Sequence, residues 1–275
     1  MKLAYMQGRL SPMEDGRIQC FPVLQWREEF QRAVEAGIPA IEWIDDTYGA
    51  TTNPLRTDDG IQELKQLMQK HNITIPSVCA DTFMEEPLIR CTETQRTERI
   101  ALLRFLLGQT QKIGARHIGI PLLDNSAIQT DAEMKQVVDA LTQVLPDLER
   151  LSLELHLETS LDPDTFRQLL TLLDHPRIRV TYDTGNSAAL GYDPRIEFAA
   201  YGSRIGSVHI KDRIKGGTTV KLGTGDTDFA CVAVELSAIN FDGLYTLQAA
   251  REDDRDEVSL LKEYREFAKQ WTRDI

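Results

Sequence analysis

Paired cysteines, long apolar runs, excess positive charge and a phosphate-type glycine loop are all missing from this 275-residue chain. Its four cysteines (Cys20, Cys79, Cys91 and Cys231) show no CxxC spacing. That excludes a disulfide framework or a cysteine-ligated zinc cluster and suits reduced thiols in a cytoplasmic protein. No apolar stretch approaches the roughly 20 residues of a membrane span. The opening residues, Met1-Lys2-Leu3-Ala4-Tyr5-Met6-Gln7, turn polar too soon for a signal peptide. A net charge of −12 disfavours nucleic acid and anionic membranes as partners. No low-complexity stretch or linker divides the chain, so residues 1–275 are expected to form one domain.

What is present is alternation. Strand-like runs at 2–6, 40–44, 75–79, 117–121, 151–158, 178–183, 206–210 and 244–248 are separated by segments of helical periodicity. The clearest helical segments are 26–36, 60–70, 94–113, 131–149, 163–173 and 257–272, and two weaker ones are 194–200 and 229–238. Gly37 and Gly114 stand where left-handed helix caps are wanted, and Asp162-Pro163 reads as a helix start. Eight strand–helix units in a chain of this length fit an α/β protein of the single (β/α)8 TIM-barrel type. The doubly wound alternative would carry a glycine-rich phosphate loop after its first strand. Here that position reads Gln7-Gly8-Arg9-Leu10-Ser11-Pro12.

The most informative strand is 151–158, with leucine at every odd position and Ser152, Glu154, His156 and Glu158 at the even ones. A period of two sends the polar set to one face. In a helix-covered barrel that face is the interior, where carboxylates and imidazoles must be paired or bound to an ion. The same alternation places Asp183 last on strand six, His209 and Lys211 inward on strand seven, and Gln248 last on strand eight. Four successive strands thus deliver Glu158, Asp183, His209 and Gln248 to one rim. Three hard oxygen donors and an imidazole suit one divalent ion, whether manganese, magnesium, cobalt or zinc.

These residues resemble the xylose isomerase-like superfamily of sugar and sugar-phosphate isomerases and epimerases. The likeness is carried by Leu157-Glu158-Thr159, Tyr182-Asp183-Thr184-Gly185-Asn186, Val208-His209-Ile210-Lys211-Asp212 and the glycine-rich Gly223–Phe229 loop. The resemblance implies a metal held by Glu158, Asp183, His209 and the residue ending strand eight, binding a small sugar through adjacent oxygens. The epimerase branch usually carries glutamate where this chain has Gln248, and a glutamine cannot act as a base.

The expected activity is a metal-dependent isomerase or epimerase working through a metal-stabilised enediolate. Glu158 is the expected base and Lys211 the candidate acid on the far face. Glu42, Asp81, His156, Asn186, Arg213, Lys221 and Arg251 are expected to bind substrate, and the basic residues among them would suit an anionic sugar. A possible homo-oligomer is left open. A keto-polyol dehydratase and a non-catalytic sugar-binding relative are the alternatives. An endonuclease IV-like repair enzyme is disfavoured by five histidines in all and by the acidic charge.

Overall fold

The computed structural model describes residues 1–252 and 255–272. Ten strands form among the described residues: β1 (Lys2–Met6), β2 (Ala40–Ile44), β3 (Thr74–Cys79), β4 (His117–Leu122), β5 (Glu154–Thr159), β6 (Ile178–Asp183), β7 (Ile205–Ile210), β8 (Asp212–Arg213), β9 (Thr219–Val220) and β10 (Leu244–Leu247). Eight close a parallel barrel in the order β1-β10-β7-β6-β5-β4-β3-β2, while β8 and β9 make a small antiparallel ribbon above β7. The expected (β/α)8 barrel is the fold observed.

Alternation decides which face each residue takes. Leu155, Leu157, Val180, Tyr182, Val208, Ile210, Tyr245 and Leu247 are buried on the outer face of their strands, in the layer between barrel and helices. Each large apolar side chain hidden there contributes about 1.5–3 kcal/mol. Their polar neighbours point inward: Thr181 Oγ1 lies 3.0 Å from Ser207 Oγ, and His156 Nδ1 lies 2.8 Å from the same hydroxyl. Ala4, Ala40 and Leu244 form a separate small apolar cluster.

Helix boundaries follow local chemistry, with two departures from expectation. The segment 131–149 is two helices, Asp131–Thr142 and Leu145–Leu151. Pro146 stands in the first turn of the second, where its missing N–H and fixed φ favour a new start over a continuation. Leu151 therefore ends a helix, and Ser152 caps it in the left-handed region at φ 56°, so β5 begins only at Glu154. The expected caps do form. Gly37 closes Glu28–Ala36 at φ 69°, and the Asp162 side chain accepts from Thr165 N ahead of Pro163–Leu173. Gly114 adopts φ 85° one residue beyond the Ile113 cap.

The long connection after β1 is packed down rather than loose. Phe21, Trp26, Phe30 and Trp43 pack in tilted and edge-to-face pairs with ring centroids 5.8–6.3 Å apart. Buried Glu29 accepts from Gly8 N at 2.9 Å and Leu10 N at 3.1 Å. This fixes the backbone on either side of Arg9.

Candidate functional site

Three consecutive strands bring their last inward residues together. Donor atoms of Glu158 on β5, Asp183 on β6 and His209 on β7 lie within 4.8 Å of one another, and all three residues are buried. The three could hold a metal ion.

Each donor is oriented by its neighbours. Asp183 caps the helix Thr184–Leu190, with Oδ1 accepting from Asn186 N at 2.8 Å. Its Oδ2 faces Lys211 Nζ at 3.2 Å. Glu158 Oε1 accepts from Asn186 Nδ2 at 2.6 Å, and Asn186 Oδ1 in turn accepts from Arg213 Nη1 at 2.9 Å. His209 lies between two carboxylates: Nε2 is 3.3 Å from Glu42 Oε1, and Nδ1 is 3.3 Å from Glu158 Oε2. Glu42 is itself held by Thr246 Oγ1.

The two sides of that imidazole differ. Nε2 is aligned to bond Glu42, whereas Nδ1 makes no aligned hydrogen bond among the described residues despite its closeness to Glu158. A bare nitrogen lone pair facing a carboxylate in a dry interior is unfavourable unless a cation lies between them. A proton is one such cation. Burial works against the imidazolium, yet the Glu42 and Glu158 carboxylates outweigh it and hold the His209 pKa well above its ordinary value. A divalent ion is the other. A ring nitrogen ligating while its partner donates to a carboxylate is the usual arrangement of a metal-bound histidine. The donor set therefore fits a divalent ion.

Gln248 follows β10 directly, its N–H bonded to Ile210 O at 3.1 Å. Its Oε1 accepts from Lys211 Nζ at 3.0 Å, so the ammonium bridges Gln248 and Asp183. Lys211 can run so close to the strand-six turn because residue 185 is glycine. A Cβ there would come within 2.7 Å of Lys211 Cγ.

Above this cluster opens a cleft of about 940 Å³, whose walls include Asp81, Glu158, Asn186, Lys211, Arg213 and Gln248. Burial pushes the Asp81 carboxyl up to about 6, opposed by hydrogen bonds from Gln19 and Cys79. Asp81 belongs to the turn after β3 rather than the strand itself. The remaining expected substrate-binding residues are engaged elsewhere. Glu42 lies within β2, beneath His209. His156 is deeper still, bonded to Ser207 and Glu154 and stacked 3.8 Å from His117. Lys221 pairs with Glu263 at 2.6 Å and does not line the cleft. Arg251 touches the cleft, but its guanidinium bonds the carbonyls of Gly8, Ser11 and Ile18, tying the β1 connection down. The glycine-rich loop is likewise anchored, since buried Asp212 accepts from Gly223 N, Gly225 N and Thr227 N.

One cleft residue escaped the sequence reading. Gln19 bonds Gln248, Asp81 and Arg9 together from the irregular β1 connection. No periodicity could have placed it, because it lies in neither helix nor strand.

A closed parallel barrel with a carboxylate–imidazole cluster at the carboxyl ends of its strands is the class of protein that this architecture defines. The chain belongs to the xylose isomerase-like TIM barrel family, whose model matches residues 30–271. Solved structures share the fold at low identity. The IolI protein, solved with a bound zinc atom, superposes with a TM-score of 0.78 at 17% identity, covering 99% of this chain and 98% of that one. An L-ribulose 3-epimerase gives 0.79 at 16% identity, covering 98% and 94%. D-psicose 3-epimerase from Clostridium cellulolyticum H10, solved with D-tagatose, gives 0.76 at 17%, covering 99% and 98%. No curated protein matches the chain in sequence. No helix among the described residues is long and apolar enough to cross a membrane.

Proposed function

We propose that this protein is a divalent-metal-dependent isomerase or epimerase of a sugar or sugar phosphate. The observation that carries the reading is the buried His209 Nδ1, without an aligned hydrogen bond among the described residues and close to the clustered oxygens of Glu158 and Asp183. These three residues would hold the ion, with Gln248 Oε1 as a fourth donor. Manganese, magnesium, cobalt and zinc all suit such a set. When bound, the ion supplies Lewis acidity that polarises a substrate carbonyl.

The chain's own groups do the rest. Glu158, pinned through Oε1 by Asn186, is the base that removes the proton beside the carbonyl. Lys211 Nζ, facing the cleft between Asp183 and Gln248, donates to the oxygen on which charge develops. Gln248 cannot accept a proton, so of the last inward residue of β5 and the residue following β10 only Glu158 can carry it between adjacent carbons. That economy favours aldose–ketose isomerisation; epimerisation would need Lys211 to deliver a proton from the opposite face. A cleft of about 940 Å³ suits a sugar-sized ligand. The fold shared with sugar epimerases and with zinc-bound IolI supports the reading. A cytoplasmic setting accords with four cysteines that are all unpaired.

Metal analysis of purified protein, paired with deuterium exchange into ketoses and aldoses followed by NMR, tests the proposal. Wild type should carry or take up a divalent ion and label the carbon beside the carbonyl, and Glu158→Ala should do neither. Wild type that binds no divalent ion and gains no thermal stability from added Mn²⁺ would sink it.

A further inference from the structure

Gln248 matters only if its oxygen, and not its amide nitrogen, points at the ion. The surrounding donors and acceptors decide that orientation. At one end stands Lys211, an ammonium that can only donate, with Nζ 3.0 Å from Gln248 Oε1. At the other stands Arg9, a guanidinium that can only donate, with Nη2 3.2 Å from Gln19 Oε1. Between them, Gln248 Nε2 donates to Gln19 Oε1 at 2.9 Å, and Gln19 Nε2 donates to Asp81 Oδ2 at 2.8 Å.

Only one arrangement satisfies this chain. Turning Gln248 over would set its NH2 against the Lys211 ammonium and its oxygen against that of Gln19. Turning Gln19 over would set its NH2 against both Arg9 and Gln248, and its oxygen against the Asp81 carboxylate. Each reversal leaves buried or half-buried groups facing their own kind, and an unsatisfied buried polar group is costly. Arg9 has no freedom to adapt. It is buried and fixed by bonds to the carbonyls of Ala249 at 3.0 Å and Ile18 at 2.8 Å.

We propose that Gln19 is a positioning residue that locks the Gln248 amide with its oxygen toward Asp183 and the ion, so that glutamine serves as a neutral fourth ligand. The inference rests on the metal-site reading above. It assigns a role to the irregular connection after β1: carrying the orienting residue for a ligand just past the end of the neighbouring strand β10.

The test is a double-mutant cycle on Mn²⁺ affinity, read by calorimetry, with the visible absorption of the Co²⁺-loaded protein reporting ligand geometry. Gln19→Leu should weaken Mn²⁺ binding by roughly tenfold, the scale of losing an outer-shell partner, and alter the Co²⁺ spectrum. Gln19→Glu keeps an oxygen facing Arg9 and Gln248 but turns a second one on Asp81, so it is paired with Asp81→Asn, whose amide N–H donates to that oxygen in place of the lost bond; the pair should restore affinity to near wild type. In a Gln248→Leu background, Gln19→Leu should change nothing further, because it acts only through the amide. Melting temperatures of the ion-free variants separate misfolding from lost ligation. If Gln19→Leu binds Mn²⁺ as wild type does while Glu158→Ala does not, the positioning role fails and the metal site stands. If Gln19→Leu weakens binding equally with and without Gln248, the role also fails. Wild type that binds no ion overturns both.

Discussion

The imidazole of His209 lies with Nε2 3.3 Å from Oε1 of Glu42, and both side chains are only 2% exposed. Glu42 thereby holds the ring in the one orientation that turns Nδ1 toward Glu158. Replacing Glu42 by glutamine should weaken divalent-ion affinity by about 10–100-fold, measured by calorimetry with Mn²⁺. The ion-free protein offers an independent check. Because the folded pKa of His209 is raised, its stabilisation is complete below about 6.5 and is lost as pH rises through the folded value. The melting-temperature gap between wild type and Glu42→Gln should therefore narrow as the solution is made alkaline. A gap that widens with pH would show that Glu42 does not support an imidazolium.

Lys211 stands where its charge competes with a cation. Its Nζ is 3.2 Å from Asp183 Oδ2 and 3.0 Å from Gln248 Oε1, two of the oxygens assigned to the ion. A unit charge about 4 Å from a divalent cation is repelled by about 8 kcal/mol at an effective dielectric near 20, twice the value for two unit charges. Lys211→Met should accordingly tighten Mn²⁺ binding, by about tenfold even if most of that repulsion is screened, while depressing turnover. Weaker binding would mean that the ammonium organises the site instead of opposing the ion.

The three clustered donors are legible in sequence because each is the last inward-facing residue of a short, alternating strand. One apolar outer face then dictates where Glu158, Asp183 and His209 point. Alternation says nothing about depth, however. Glu42 and His156 share the inward face but lie one or more layers below the cleft, bonded to His209 and to Ser207. Nor does charge near a strand end reveal its partner. Arg251 and Lys221 look like substrate-binding cations until the fold supplies backbone carbonyls to one and Glu263 to the other. The Leu151-Ser152 pair reads as strand because leucine alternation runs on past the helix end, and only the left-handed cap at Ser152 reveals the boundary.

Glu29, outside the Glu158–Asp183–His209 cluster, makes stability depend on pH. Burial pushes its carboxyl up to about 7, against the opposing bonds from the Gly8 and Leu10 N–H groups. A carboxyl whose folded pKa is raised stabilises the protein fully below its unfolded value near 4.3, and that stability fades as pH climbs through about 7. Glu29→Gln keeps an oxygen for the same N–H groups without the ionisation. The variant should gain on wild type by about 1–3 kcal/mol between pH 5 and pH 8, read from denaturant midpoints at each pH. A difference that does not grow with pH would refute the assignment.

Gly185 is the tightest point between the strand-six turn and the lysine. A Cβ there would lie 2.7 Å from Lys211 Cγ and 3.0 Å from the Lys211 backbone carbon. The side-chain atom could move aside, but the backbone carbon belongs to the segment that continues β7 and is held by Lys211 N donating to Thr184 Oγ1 at 3.0 Å. Gly185→Ala should therefore displace Lys211 from Asp183 and Gln248 while leaving the barrel intact, because Gly185 belongs to a short helix above the strands. Turnover should fall by at least tenfold with the melting temperature lowered by only a few degrees, and Mn²⁺ affinity should change in the same direction as in Lys211→Met. If affinity moves the opposite way, the added methyl has disturbed Asp183 itself, and the glycine serves the helix cap rather than the lysine.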